Sequence, residues 1–381
     1  MEFELNEEQR MVRSMVRDLS QNEFAPRAAQ VDSTEAFPAE NIDRLAQLGL
    51  MGLPYPEAYG GGGGDYVSYA LAVEEIARGC GSTALVYAAH VSLGCGPIYA
   101  FGNEEQKQKW LPRLCSGQGL AAFGLTEPQA GSDAGATRTT AVRDGGDYVL
   151  NGSKMWITSG ALADVVNCTA KTDPEAGTKG ISCFLVEKGT PGFIPGKDEP
   201  KMGLKGSVTS ALALENCRVP ASTLLGEEGQ GFRQMLITLD SGRISIGAMA
   251  LGLGQAALDE ATRYAKERVQ FGQPIANFQA IQWMIADMAT EIDAARLMVY
   301  RAAAMKEAGL RFTKEAAMAK LYASEVAERV AFKAIQIHGG YGYSREYPVE
   351  RIYRDQRLCA IGEGTSEIQR LVIARQILGK L

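Results

Sequence analysis

Histidine is almost missing: the chain of 381 residues contains two, His90 and His338. A histidine-rich metal site is thereby excluded, and a Cys–His nucleophilic pair is a poor candidate. The seven cysteines (Cys80, Cys95, Cys115, Cys168, Cys183, Cys217 and Cys359) are odd in number and never spaced as CxxC. That argues against a disulfide framework or a zinc site and for reduced thiols in a cytosol-like compartment. No basic excess exists either, since 39 Lys and Arg face 45 Asp and Glu for a net charge of −6. Nucleic acid is therefore not an expected partner. Long apolar runs are lacking: the longest uncharged stretch that reads as helix, Ile244 to Leu258, holds several glycines and is too short to span a bilayer. The opening MEFELNEEQR has neither the apolar core of a signal peptide nor the look of a transit peptide. A cytoplasmic protein, or the mature matrix form of a mitochondrial one, is the expectation. What is present is an ordinary globular composition, 46% hydrophobic and 22% charged, long enough for two or three domains and suited to a small-molecule ligand.

The texture changes twice along the chain. Up to about Gly117 the signals are helical: Asn6 caps a first helix with Glu7 and Glu8 in its first turn, Pro38 and Glu40 open another, and Val67–Ala77 and Ala84–Phe101 follow the glycine run 60–64. A charged helix, Glu104–Leu114, is interrupted by Pro112. From Ala121 to about Gly226, short β-type runs alternate with turn residues. Asn151-Gly152 between Tyr148–Leu150 and Lys154–Ile157 reads as a type I′ hairpin, and Lys188–Gly196 reads as loop. After Gly231 apolar residues recur every three or four positions, as in Ile281, Ile285, Met288, Ile292 and in Ala319, Tyr322, Val326, Val330. The expected fold is multi-domain α+β: an N-terminal all-α domain (1–120), a middle antiparallel β-barrel or sandwich (121–230) and a C-terminal helical bundle (231–381). No internal repeat is visible.

Five stretches carry candidate chemistry. Phe123–Asp133 (FGLTEPQAGSD) joins a strand end to a Pro turn with short hydroxyls; it suits a polar heterocycle or phosphate, or is simply a polar turn. Trp156–Gly160 offers a flat indole face beside Thr158, or a Trp that fills the β core. Arg268 can pair bidentately with a pyrophosphate, or merely favour a helix C-terminus. The glycine pair in Gln336–Gly342 permits close backbone approach to a ligand, or caps a helix. In Ile361–Gln369 (IGEGTSEIQ), Ser366 and Gln369 fit a capping box for the last helix. Glu363 falls outside that box, between two glycines, on a strip without side-chain neighbours. A carboxylate there can swing into a cleft as a general base, or be an exposed loop acid. Gly252-x-Gly254-x-x-Ala257 follows no strand and reads as helix packing.

Taken together, LTEPQAGSD, WIT, ERVQFG, QIHGGYGY and GEGTSEIQR resemble, in order and spacing, the acyl-CoA dehydrogenase family over nearly the whole chain. The resemblance implies helical, β and four-helix-bundle domains assembled as a homotetramer, with one non-covalent FAD per subunit. It implies that Phe123, Leu125, Thr126, Ser132, Trp156 and Thr158 surround the flavin. Arg268, Phe271, Gln279, Gln336, Gly339 and Gly340 would meet the adenylate and pyrophosphate of a neighbour's FAD, and Thr365 and Glu367 would also touch the cofactor. Asp240, Arg243, Ser132 and Gly364 would contact the acyl-CoA substrate. Glu363 would remove the α-proton, a β-hydride would pass to flavin N5, and an electron-transferring flavoprotein would accept the electrons.

Departures from the family patterns inform the subtype. One branch carries its base just before the bundle arginine, where this chain has Gly242. Glutaryl-type members have an Arg at the position matching Ala84, so a dicarboxylyl substrate is disfavoured. Straight-chain members often have Tyr before the base; Gly362 here leaves room for a short, branched or cyclic acyl group. Competing expectations are an oxidase or N-hydroxylase of the same fold, and a non-catalytic CoA-binding protein.

Overall fold

A computed structural model describes residues 4–379. Residues 1–3 and 380–381, the outer ends of the first and third expected domains, lie outside the described residues. The N-terminal part holds α1 (Glu7–Leu19), α2 (Ala25–Thr34), α3 (Ala39–Gln47), α4 (Tyr66–Gly79), α5 (Gly81–Ala88), α6 (Gly96–Phe101) and α7 (Glu104–Cys115). Asn6 does cap α1, exchanging hydrogen bonds with Gln9 in a capping box. Between α5 and α6 the chain widens into a π-helical turn, Ala89–Cys95. Pro112 does not interrupt α7: it sits in the last turn, where the missing N–H costs one hydrogen bond, and the helix runs on to Cys115.

The middle part is one seven-stranded sheet of β1 (Ala121–Gly124), β2 (Thr140–Asp144), β3 (Asp147–Thr158), β4 (Val165–Lys171), β5 (Ile181–Glu187), β6 (Phe193–Asp198) and β7 (Thr209–Pro220). Its order is β1-β4-β2-β3-β7-β6, with β5 on β4. Most pairs are antiparallel, but β1 and β2 each run parallel to β4. Two sequence expectations fail here. Asn151-Gly152 makes no hairpin: β3 continues through it, and the hairpin turns instead at Gly145-Gly146, between Asp144 and Asp147. Gly152 adopts φ 151° at a bulge against β7, and a Cβ there would meet Thr139 Oγ1 at 2.5 Å. The glycine thus serves close strand contact, a use that the Asn-Gly pair alone does not distinguish from a turn. Lys188–Gly196 is only partly loop, because Phe193 begins β6.

Helices then return: α8 (Gly231–Glu267), a short ribbon of β8 (Val269–Gln270) and β9 (Gln273–Pro274), α9 (Gln279–Glu307), α10 (Thr313–His338), α11 (Val349–Gln356) and α12 (Ser366–Leu378). The N- and C-terminal helices share one hydrophobic core, which includes Tyr69, Val73 and Ile76 of α4, Ile244 and Leu251 of α8, Ile292 of α9 and Val330 of α10. A separate core, with Tyr148, Phe184 and Val219, lies within the sheet. Gly252 is a packing residue: a Cβ there would meet Glu74 O of α4 at 2.1 Å. By length and hydropathy Gly81–Phe101 and Gly231–Glu267 are each sufficient to cross a membrane, contrary to the sequence expectation. In both, 78% of the apolar window is buried inside the protein, as in the core helix of a folded domain. The seven cysteines are all free and buried, and no His, Cys, Asp and Glu cluster of metal-ligating size occurs among the described residues.

Candidate active site

Glu363 stands on a sharp turn between a 3-10 turn, Arg357–Ala360, and α12. Its φ is 55° and that of Gly364 is 92°, so a non-glycine residue is held in the left-handed region. Such a conformation costs of order 1–3 kcal/mol and persists only when its surroundings fix it. They do: Lys320 Nζ, from the buried face of α10, donates to Gly364 O at 2.7 Å. Gln369 Nε2 donates to the same oxygen at 2.8 Å and to Glu363 O at 3.2 Å. The strip is therefore clamped, not free of side-chain neighbours as its glycines imply. The capping box also fails: Thr365 is the N-cap, accepting from Ile368 N at 3.3 Å, and Gln369 spends its amide on the turn.

The Glu363 carboxyl points inward. Its Oε2 is shut off from solvent and has no hydrogen-bond partner. A Cβ placed on Gly242 would lie 1.9 Å from it and 2.9 Å from Leu93 of the π-helical turn. Burial pushes the acid up to about 7, against the pull of Lys320 and Arg243 in the other direction. A group poised there holds a proton or releases one near neutrality.

Around this acid stand residues of four helices. Arg243 of α8 is buried and pairs with Asp240 Oδ1 at 2.6 Å, leaving its Nε unpartnered. Thr313 Oγ1 donates to the other oxygen of Asp240 at 2.7 Å. From α4, the Tyr66 hydroxyl is buried without a partner, and Lys306 of α9 sits 3.9 Å from the centre of its ring. Lys320 is fully buried, and burial lowers its amine to about 8. The result is a buried cluster with an unpaired carboxylate oxygen, an unpaired guanidinium N–H and an unpaired phenol.

A second group of residues forms at the edge of the sheet. The turn after β1 is fixed by a fully buried ion pair, with Lys154 Nζ 2.7 Å from Glu127 Oε1. Lys154 also reaches Leu125 O and Thr169 Oγ1, while Glu127 accepts from the Arg138 and Thr139 amides. Thr126 O accepts from Met155 N at 2.9 Å, so Leu125 and Thr126 lie beside Trp156 and Thr158. Trp156 is not a core filler: it is 56% exposed at the strand end, with φ 61°. Phe123 and Thr158 are half-buried and Ser132 is exposed nearby in sequence. Asn167 Nδ2 on β4 donates to Leu93 O, Gly94 O and Ala122 O, and His90 Nδ1 accepts from Ala121 N. These bonds tie β1 to the π-helical turn that also faces Glu363.

The third group is an open groove of about 590 Å³ between the C-terminal ends of α8 and α10. Arg268, Gly339, Gly340 and Tyr341 line it. Arg268 lies 5.4 Å from the Tyr341 ring centre and makes no ion pair among the described residues. A Cβ on either glycine would meet nothing within 4 Å; Gly339 caps α10 at φ 59°, a backbone conformation that favours glycine, whereas Gly340 is under no such constraint. Phe271, 93% exposed, and the exposed Gln279 and Gln336 are outside this lining. Glu367 is exposed in the first turn of α12.

Sequence reasoning missed Lys320, Tyr66, Lys306 and the Glu127–Lys154 pair. Lys320 was detectable, because it occupies the same helical face as the buried Ala316, Ala323 and Ala327. Nothing in the sequence links Glu127 to Lys154 across 27 residues.

Family models match three consecutive segments: acyl-CoA dehydrogenase N-terminal domain over residues 6–118, middle domain over 122–217 and C-terminal domain over 229–378. The chain belongs to the acyl-CoA dehydrogenase family. It is thereby an oxidoreductase acting on CH–CH bonds. The probable acyl-CoA dehydrogenase YngJ of Bacillus subtilis is 58% identical, over 99% of this chain and 100% of that protein. Butyryl-CoA dehydrogenase of Megasphaera elsdenii superposes with a TM-score of 0.97 at 46% identity, covering 99% of this chain and 100% of that one. A chain solved in work on the electron transferring flavoprotein of Acidaminococcus fermentans gives 0.98 at 47% identity and full coverage of both. An acyl-CoA dehydrogenase complexed with FAD, from Bacillus anthracis, gives 0.93 at 39% identity, covering 98% of this chain and 67% of that one.

Proposed function

We propose that this acyl-CoA dehydrogenase desaturates a short acyl-CoA thioester, with Glu363 as the base that removes the α-proton. The observation carrying this reading is the Glu363 carboxylate, buried, unpartnered at Oε2 and raised to about 7, whereas the neighbouring Asp240 is taken up by Arg243 and Thr313. An α-proton next to a thioester is weakly acidic, so the base must be positioned, poorly solvated and close to neutrality in pKa. Arg243 and Asp240 would hold the CoA moiety, and Gly364 and Ser132 would also contact the substrate. The backbone N–H of Glu363 would donate to the oxygen that gains charge as the proton leaves.

FAD is the cofactor; when bound it would supply the two-electron acceptor for a β-hydrogen leaving as hydride, while Glu363 would keep the α-proton and a carbon–carbon double bond would form. The residues present fit that group. Trp156, Leu125, Thr126, Thr158, Phe123 and Ser132 offer a flat apolar face edged by hydroxyls. The unpaired Arg268 beside Gly339 and Gly340 offers a bidentate cation and bare backbone for a pyrophosphate. Thr365 and Glu367 lie at the start of α12, next to the base. Phe271, Gln279 and Gln336 face outward in the single chain, which fits contacts made across a subunit boundary. Exposed apolar side chains on the C-terminal helices, among them Trp283, Phe332 and Ile377, support a homotetramer. An electron-transferring flavoprotein takes the electrons, and the enzyme works in the cytoplasm or a mitochondrial matrix.

Gly362 supports a branched or cyclic acyl group as well as a straight one. A Cβ there would make ordinary contact with Leu358 at 3.6 Å, so glycine leaves out a side chain that this turn could hold next to the base. The test is kcat/KM for butyryl-, isobutyryl-, 2-methylbutyryl- and cyclohexanecarbonyl-CoA with flavin bleaching as the signal. Preference for long straight chains would overturn the substrate class. Turnover that survives Glu363→Gln would overturn the base.

A further inference from the structure

We propose that Lys320 and Gln369 together position the base: they clamp the Gly364 carbonyl from two sides, and Lys320 adds the charge that keeps the Glu363 carboxyl ready to ionise. This rests on Glu363 being the base. Lys320 is a fully buried ammonium on α10, and it donates to Gly364 O at 2.7 Å. Gln369 is equally buried and directs its amide nitrogen to both carbonyls of the turn. Two core positions on separate helices are thus committed to two adjacent peptide units. A buried lysine in an alanine-rich helix stabilises a fold poorly, since an apolar side chain of similar volume serves packing better. Its placement makes sense as positioning.

The chemistry follows from geometry. Glu363 is held at φ 55°, a conformation that relaxes readily in a residue flanked by glycine. Loss of the clamp lets the turn relax and moves the carboxylate relative to a substrate carbon held by Arg243. A misplacement of about 1 Å is enough to cost roughly 100-fold in rate. Charged and titratable groups facing the carboxyl are Lys320 of α10, Arg243 of α8, Tyr66 and Tyr69 of α4, and Cys359 before the turn; Glu367 of α12 faces Lys320. Among them only Lys320 and Arg243 are cations, so removing Lys320 leaves one.

Two measurements on the FAD-loaded enzyme separate the roles: kcat and KM with butyryl-CoA across pH 5–9, and deuterium wash-in from D2O at the α-carbon of acetyl-CoA, which has α-hydrogens and no β-carbon to oxidise. Lys320→Met should lower kcat and wash-in roughly 10- to 100-fold with KM within about threefold, and raise the acid limb by about one pH unit. Lys320→Gln, which keeps a donor and drops the charge, should shift the limb equally but lose less rate. Gln369→Met should lose rate with the limb unmoved, and it carries the test of the clamp if Lys320→Met does not fold. Unchanged kcat and limb in the Lys320 variants would overturn the proposal, as would lost rate with an unmoved limb. Glu363→Gln is the control. If it abolishes wash-in while Lys320→Met has no effect, only the clamp has failed; if it retains wash-in, the base assignment has failed and takes the clamp with it.

Discussion

The Glu363 carboxylate occupies the space that a side chain at position 242 would need. Oε2 lies 1.9 Å from where a Cβ on Gly242 would be built. The base from α12's leading turn and the bare backbone of α8 are therefore one interlocked arrangement, and the carboxyl has no second place on that side.

Gly242→Ala should consequently push the carboxyl aside. We expect kcat to fall by roughly 100-fold, in line with a displacement of an ångström or more. Helix propensity pulls the other way, since Ala in a helix interior is favoured over Gly by about 1 kcal/mol. The variant should therefore be folded, yellow and slow. Steady-state kinetics and flavin absorbance check this, and wild-type kcat would show that the carboxyl rests elsewhere during turnover.

Local chemistry explains which features were legible beforehand. Capping at Asn6 and the apolar stripes of α9 and α10 depend on neighbours within a few residues, and they hold. Glu363, Trp156 and Arg268 stand in motifs whose residue types already state a chemistry. The Asn151-Gly152 expectation fails because Gly145-Gly146 supplies a competing turn six residues earlier, and the sheet needs a bare backbone against Thr139. Ser366 is taken for a cap although Thr365, one residue before it, does the capping. The clamp on the base is invisible for another reason. It joins Lys320 to Gly364 across 44 residues, and only tertiary packing brings α10 under that turn.

Glu363 should also mark stability with a definite pH signature. Its folded value of about 7 lies above the ordinary 4.5, so the native state holds this proton more tightly than the unfolded chain. Below pH 4.5 both states are protonated and no penalty exists. Between 4.5 and 7 stability falls as pH rises, and above 7 the full cost of the buried charge, about 3 kcal/mol, is present. Glu363→Gln should thus have a higher Tm than wild type at pH 8, with the difference shrinking towards pH 5. A difference independent of pH would contradict the burial.

Arg268→Ala should weaken cofactor retention without disturbing the fold. The guanidinium makes no ion pair within the described residues and is only half-buried, so its loss leaves no orphaned partner. If it serves the pyrophosphate, purified protein should carry less FAD per subunit, read as the ratio of flavin to protein absorbance. Full flavin content after gel filtration would remove Arg268 from the cofactor site.

The Glu127–Lys154 pair should be the most sensitive point of the middle sheet. Both side chains are essentially without solvent, and the carboxyl also satisfies two backbone amides of the following turn. Although burial pushes Glu127 up, Lys154 and those amides hold it below its ordinary value. Its contribution is present above about pH 4.5 and is lost as pH falls through the lower folded value. Lys154→Met leaves a buried carboxylate with no counter-ion, a loss of about 3–5 kcal/mol. Double replacement, Glu127→Gln with Lys154→Met, should recover part of that stability, because no unpaired charge remains. Flavin binding should recover less, because the turn that presents Leu125 and Thr126 beside Trp156 hangs on the carboxyl. The double variant should therefore regain more of its Tm than of its flavin content. Equal recovery of both, by thermal melts and flavin absorbance, would mean that the turn holds its shape without the ion pair.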